Sequence, residues 1–126
     1  MRFLALILFI PGSLAAATSS GDYWTKWHRE AADAKKCSNT STTSRFLVGA
    51  LNNLGNTERT EAYAEALEAI AIENPKCFLG AAARLKPNSC KKIIRHFVDG
   101  AIYHEPSEIN GALKSSGVKV LNCYGS

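Results

Sequence analysis

The chain has 126 residues, of which 46% are hydrophobic, and its 15 Lys and Arg against 11 Asp and Glu give a net charge of +4. Basic and acidic side chains are interspersed at positions 26–36, and arginines do not interleave with aromatic residues as they do in nucleic-acid platforms. No nucleic-acid partner is therefore predicted, and the mildly basic surface could favour an acidic partner.

Residues 1–17 are predicted to form a signal peptide. Arg2 precedes an apolar run at positions 3–10, and the small residues Ala15, Ala16 and Ala17 supply a cleavage region. The run is too short to span a bilayer of about 30 Å, so no membrane anchor is expected. Cleavage near Ala17 would leave residues 18–126 as one small helical domain in the periplasm or outside the cell.

Residues 22–37 have helical spacing, with Trp24, Trp27 and Ala31 on one stripe. Packing of these aromatic residues onto a helical bundle is favoured over an exposed anchor for a partner or a sugar, and both interpretations stay open. The polar run 38–44 follows and is predicted to be a loop. Its Asn39-Thr40-Ser41 triplet matches a glycosylation acceptor, and we assign it no function.

The segment from Arg45 onward predicts a helical hairpin. One apolar stripe ends at Gly55, Thr57 can cap a second helix, and Tyr63 begins a second stripe. A shift of 31 residues places Gly49 on Gly80 and repeats the pattern, so another hairpin is predicted without establishing a duplication. Stacking is expected because neither hairpin alone can bury its apolar face.

A last helix is predicted from Pro106 to Gly117, followed by an extended tail over residues 118–126. The predicted fold class is therefore all-α, a small bundle of about five to six helices built from stacked hairpins and stapled by two disulfides. The staples matter because a chain of this size has a limited hydrophobic core.

The hairpin layout constrains the four cysteines. Cys37 and Cys77 fall at the end of the bundle where the first hairpin begins, whereas Cys90 and Cys123 fall at the opposite end. Pairing Cys77 with Cys90 would require a reach of roughly 12 Å along the helix axis, which a disulfide cannot span. The predicted pairs are Cys37 with Cys77 and Cys90 with Cys123, and all four are structural rather than nucleophilic.

Candidate catalytic residues occur near the end of the second hairpin: His96, Asp99, His104 and Glu105. On a regular helix the two histidines point about 80° apart, so they do not form a site, and no enzyme, metal site or cofactor is predicted. Gly100 could break the helix and bring them together, which leaves a metal site or an acid/base pair, and with it a small secreted enzyme using His96 and His104, as an alternative.

Two polar loops are predicted to share the upper edge of the bundle and to form a recognition surface. The residues assigned to partner binding are Asn52, Asn53, Asn56, Glu58, Arg59, Lys86 and Asn88. Ordinary turn chemistry is an equal interpretation of the same residues. A helical carrier of a small apolar ligand is a further alternative, and it would require an internal cavity between the hairpins.

Residues 46–54, and residues 104–113 followed by Cys123, resemble the immunity proteins of type VI secretion amidase effectors. The resemblance does not extend to the segment between Gly55 and Cys90. It implies an all-helical, dimeric periplasmic protein that inserts a loop into the active-site cleft of a peptidoglycan-cleaving cysteine amidase and blocks it. No cofactor is implied, and a rigid scaffold with a polar loop suits such inhibition.

Overall fold

The computed structural model describes residues 11–120, 123 and 124, with side chains from residue 21 onward. Six α-helices and one π-helical segment make up this part of the chain. They are α1 (Pro11–Lys36), α2 (Thr40–Asn52), α3 (Thr57–Glu73), α4 (Pro75–Ala83), α5 (Pro87–Ile93), the π-helical segment (Ile94–Asp99) and α6 (Pro106–Ser115). The described residues contain no β-strand, and the predicted all-α bundle is confirmed.

The described residues divide into two compact units, one that ends at Glu30 and one that begins at Ala31. In the first unit, ring centroids lie 5.0 Å apart for Tyr23 and Trp24 and 5.7 Å apart for Trp24 and Trp27, and Trp27 is buried. Residues 1–10 lie outside the described residues, so the signal peptide stays a prediction. None of the described helices combines the length and the apolar character that a bilayer span requires.

The predicted loop 38–44 is wrong over most of its length, because α2 begins at Thr40. Asn39 caps this helix, and its Oδ1 accepts a hydrogen bond of 2.8 Å from the Ser41 amide. The buried hydroxyls of Thr43 and Ser44 donate to the carbonyl oxygens of Ala34 and Ala81, at 3.1 and 2.7 Å. Polar side chains that usually favour turns are tolerated here because tertiary packing supplies their acceptors.

The core of the second unit lies between the two predicted helix pairs, α2 with α3 and α4 with α5. In the first pair, Phe46 and Leu47 of α2 and Leu67 and Ile70 of α3 are buried, as their stripes predict. The other pair and α6 contribute the remaining large buried side chains, which include Phe78, Leu79, Ile93, Phe97, Val98, Ile109 and Leu113. Stacked helix pairs therefore bury the apolar faces that a single hairpin would leave in water.

Two disulfides link Cys37 to Cys77 and Cys90 to Cys123, as predicted, with Cα–Cα distances of 6.0 and 5.7 Å. Cys37 directly follows α1 and has a φ of 55°, a left-handed conformation that ends helices. The first disulfide joins this helix end to α4, and the second joins α5 to the tail. Two disulfides indicate an oxidising compartment outside the cytosol.

The described part of the tail is not extended, which corrects the prediction for residues 118–126. Val120 and Tyr124 exchange both backbone hydrogen bonds, at 2.8 and 2.7 Å, so the chain turns back on itself. The Tyr124 hydroxyl donates to Asn110 Oδ1 of α6 at 2.8 Å. Burial and the nearby carboxylate of Asp99 raise the pKa of Tyr124 above its ordinary value. These contacts hold Val120 and Tyr124, and the disulfide to Cys90 holds Cys123.

We expect loss of either disulfide to lower the free energy of unfolding by about 4 kcal/mol, from the entropy of closing chain loops of 40 and 33 residues. Equilibrium unfolding in guanidinium of the double variants Cys37→Ser/Cys77→Ser and Cys90→Ser/Cys123→Ser measures each contribution. A loss below about 1 kcal/mol in both variants would contradict a stapling role.

Gly49 sets the approach of α2 to α3. A β-carbon at this position would lie 2.6 Å from Tyr63 Oη and 3.3 Å from Tyr63 Cζ, and the Tyr63 ring is buried with its centroid 4.8 Å from that of Phe46. A flexible side chain could swing away from such a contact, but a buried aromatic ring has little room. The glycine therefore permits a close contact between the two helices.

We expect Gly49→Ala to destabilise the protein by about 1 to 2 kcal/mol, because overpacking outweighs the gain of about 1 kcal/mol in helix propensity. Tyr63→Phe removes the oxygen responsible for the closest contact, so Gly49→Ala should cost less in that background. Chemical unfolding of both single variants and the double variant gives the coupling energy. A stabilised Gly49→Ala protein would rule out the steric explanation.

Candidate functional site

Glu68 of α3 is a fully buried carboxylate. Its helical neighbours Ala64, Leu67 and Ala71 are also buried, so the side chain leaves α3 on the core face. A carboxylate in such a position is costly unless donors replace the water that it loses. The surroundings of Glu68 must therefore supply hydrogen bonds.

The donors come from the loop of residues 101–105, which connects the π-helical segment to α6. Glu68 Oε2 accepts from the Ile102 amide at 2.9 Å, and Oε1 accepts from the Tyr103 and His104 amides at 3.1 and 2.8 Å. Three successive backbone N–H groups thus converge on one carboxylate, as they do in backbone anion nests. Charge-assisted bonds of this kind are among the strongest in proteins, so they fix the loop.

His104 adds a side-chain contact to the same carboxylate. Its Nδ1 lies 2.9 Å from Glu68 Oε1, and its imidazole is partly exposed. With the proton on Nδ1, the ring donates to the carboxylate. All these donors converge on the two oxygens of Glu68, and the arrangement acts as an anchor for the loop.

Gly100 explains how the chain enters this loop. The π-helical segment ends at Asp99, and a β-carbon on Gly100 would lie 3.0 Å from the carbonyl oxygens of Arg95 and His96. Because these are backbone atoms, a side chain at position 100 would crowd them. The chain then leaves the helix, and Pro106 starts α6. The helix break anticipated at Gly100 is therefore present.

The break does not assemble the predicted catalytic candidates into one cluster. His104 contacts Glu68, whereas His96 is exposed on the π-helical segment and Asp99 accepts a long hydrogen bond of 3.4 Å from Asn110. Glu105 is exposed at the cap of α6. Within the described part of the chain, no group of three or more His, Cys, Asp or Glu residues could hold a metal ion.

The anchored loop presents two apolar side chains to solvent, which we call the knob: Ile102, 60% exposed, and Tyr103, 50% exposed. Val48 is the other large exposed hydrophobic residue in the described part of the chain. Partial desolvation and the carboxylates of Glu61, Glu65 and Glu68 raise the pKa of Tyr103 above its ordinary value. The knob is therefore an apolar projection with an acidic border on α3.

The predicted recognition residues of the first loop are largely occupied in turn structure. Asn53 Nδ2 donates to the Gly49 carbonyl at 2.7 Å, and its Oδ1 accepts from Arg59 at 3.4 Å. Asn56 caps α3 by accepting from the Arg59 amide at 3.0 Å. Asn52 and Glu58 are exposed. The turn interpretation thus accounts for Asn53 and Asn56, and partner binding by this loop stays a prediction.

The predicted residues of the second loop lie at the start of α5. Lys86 is its capping residue and Asn88 is in its first turn, and both side chains are exposed. Their role in partner binding also stays a prediction. Sequence reasoning missed Glu68 and the knob, although Glu68 stands on the α3 face between buried alanines one turn away, Ala64 and Ala71, which was the available signal.

Comparisons of this chain with protein-family models, with curated proteins and with solved structures gave no match.

We expect Glu68→Ala to lower the free energy of unfolding by about 3 kcal/mol, because three amides and the His104 ring lose their acceptor. Glu68→Gln should cost about 2 kcal/mol, since it keeps one acceptor oxygen but turns an NH₂ group toward N–H donors. Chemical unfolding and amide hydrogen exchange at residues 102–104 measure both effects.

Glu65→Gln is the matched control, because this residue is exposed on the same helix. It should change stability by less than about 0.5 kcal/mol and leave exchange in the loop unaltered. Equal exchange rates at residues 102–104 in the wild type and in Glu68→Gln would show that Glu68 does not hold the loop.

Proposed function

We propose that this protein is an exported binding protein that inhibits a protein partner by inserting the knob into a cleft. The observation that carries the proposal is the loop of residues 101–105, in which a buried carboxylate fixes the backbone while Ile102 and Tyr103 remain exposed. Two neighbouring exposed hydrophobic side chains on a fixed loop offer apolar contact area to a partner.

Rigidity favours binding because little conformational entropy is lost when the complex forms. Tyrosine and isoleucine supply large contact areas, and tyrosine is enriched among residues that dominate binding energy. The backbone amides of Ile102 and Tyr103 are hydrogen-bonded to Glu68, so the loop is already ordered before it enters a cleft. These properties suit an inhibitor that occludes an active site.

The partner class that we propose is a peptidoglycan amidase effector of type VI secretion, with this chain as its periplasmic immunity protein. The support is the resemblance of residues 46–54 and 104–113, and the second of these segments begins inside the anchored loop. Two disulfides are compatible with a periplasmic location. The homodimer implied by the resemblance is part of the same proposal, and light scattering of the purified protein tests it.

We expect Tyr103→Ala to weaken binding of the cognate amidase about 100-fold, and Ile102→Ala about tenfold, because each removes an anchor at the centre of the contact. Val48→Ala is the matched control, since it truncates an exposed apolar residue on α2 and should change affinity less than threefold. The measurements are calorimetric titration with a purified type VI amidase effector and inhibition of its peptidoglycan hydrolysis.

Three results separate the alternatives. Wild-type affinity in a Tyr103→Ala/Ile102→Ala variant would exclude the knob as the contact. Loss of binding in the double variant Asn52→Ala/Arg59→Ala, or in Lys86→Ala/Asn88→Ala, would place the contact with the amidase on the polar loops instead. Undiminished amidase activity with excess wild-type protein would exclude inhibition of that amidase.

A further inference from the structure

A groove on a different part of the second unit runs between α2 and the end of α4. Its volume is about 310 Å³, and it is open to solvent. The residues that line it are Ser41, Ser44, Arg45, Val48, Arg84 and Leu85. None of them belongs to the knob or to the loop that Glu68 anchors.

The walls of the groove are fixed by the packing of α2 on α4. The Ser44 hydroxyl donates to the Ala81 carbonyl at 2.7 Å, a buried hydrogen bond that joins the two helices. Ser41, Arg45 and Val48 follow at helical spacing, so they share one face of α2. The groove is therefore a consequence of core packing.

Val48 and Leu85 give the groove an apolar part. Val48 is 40% exposed, which is unusual in this chain, because Ile102 and Tyr103 are the other large hydrophobic residues that the described region exposes. Leu85 is half-buried. An aliphatic chain lying between these two side chains would remove apolar surface from water on both sides.

The polar part of the groove is cationic. Neither the Arg45 nor the Arg84 guanidinium pairs with a carboxylate among the described residues. The sequence between Glu73 and Asp99 has six basic residues and no acidic one. Arg84 therefore has no acidic residue among its near neighbours in the sequence. Arginine binds carboxylates through paired N–H groups, so two unpaired guanidiniums at one groove favour a carboxylate ligand.

We propose that this groove binds an amphiphilic monocarboxylate, with its carboxylate on Arg45 and Arg84 and its aliphatic chain on Val48 and Leu85. Octanoate represents this class of ligand, because it joins one carboxylate to an unbranched aliphatic chain. This site is independent of the knob and of the proposed inhibition.

The probe is octanoate below its micellar concentration, titrated into oxidised wild-type protein and followed by methyl and arginine-side-chain NMR. We expect saturable shifts of Val48, Leu85, Arg45 and Arg84 with a dissociation constant in the millimolar range, as ligand efficiency allows for this size. Acetate tests the need for the chain, and octylammonium tests the need for negative charge.

The double variant Arg45→Gln/Arg84→Gln should bind octanoate at least tenfold more weakly. Lys92→Gln/Arg95→Gln is the matched control, because it removes two exposed charges outside the groove lining and should change affinity less than twofold.

Equal binding of octylammonium would overturn the carboxylate assignment, and equal binding of acetate would reduce the site to adventitious anion binding. Octanoate shifts that persist unchanged in the Arg45→Gln/Arg84→Gln protein, or that appear elsewhere in the described region, would exclude the groove. Binding of the cognate amidase by that variant should stay at the wild-type level, so a failure here leaves the knob untouched.

Discussion

The charge of Glu68 lies where water cannot solvate it, and the part of the molecule beyond α5 is arranged around that constraint. A buried carboxylate needs donors, and the loop of residues 101–105 supplies three amides and an imidazole. For the loop to reach it, the helix must end at Gly100 and α6 must begin at Pro106. The amides of Ile102 and Tyr103 donate to Glu68, and the two side chains remain exposed to solvent.

The disulfides meet a second constraint, which is the small size of the core. Each disulfide joins a helix to a segment remote in sequence, Cys37 to α4 and Cys123 to α5. Such a link lowers the conformational entropy of the unfolded chain more than a link between near neighbours would. This stabilisation lets the protein carry features that a small domain otherwise supports poorly: a buried charge, an exposed apolar knob and a groove with two unpaired arginines. The acidic border of the knob and the basic groove also give the surface two regions of opposite charge.

Several elements could be predicted because their cause is local or geometric. The apolar stripes of α2 and α3 recur at helical spacing, Pro106 marks a helix start, and the hairpin layout places the correct cysteines together. Residues 38–44 were mistaken for a loop, because the acceptors for the Thr43 and Ser44 hydroxyls belong to Ala34 and Ala81, which sequence spacing does not bring near. The tail was mistaken for extended chain, although Val120 and Tyr124 bond to each other and the Tyr124 hydroxyl bonds to Asn110 of α6.

The sequence by itself determined the helical fold class, the pairing of the cysteines and the positions of the glycine and proline breaks, because these depend on residue periodicity and backbone stereochemistry. Only the tertiary structure decided that Glu68 is buried, that His104 turns to it rather than to His96, and that Arg45 and Arg84 share a groove. Such pairings join residues from separate elements, and their energies come from desolvation. Desolvation is set by what packs around a group, which no local pattern of residues specifies.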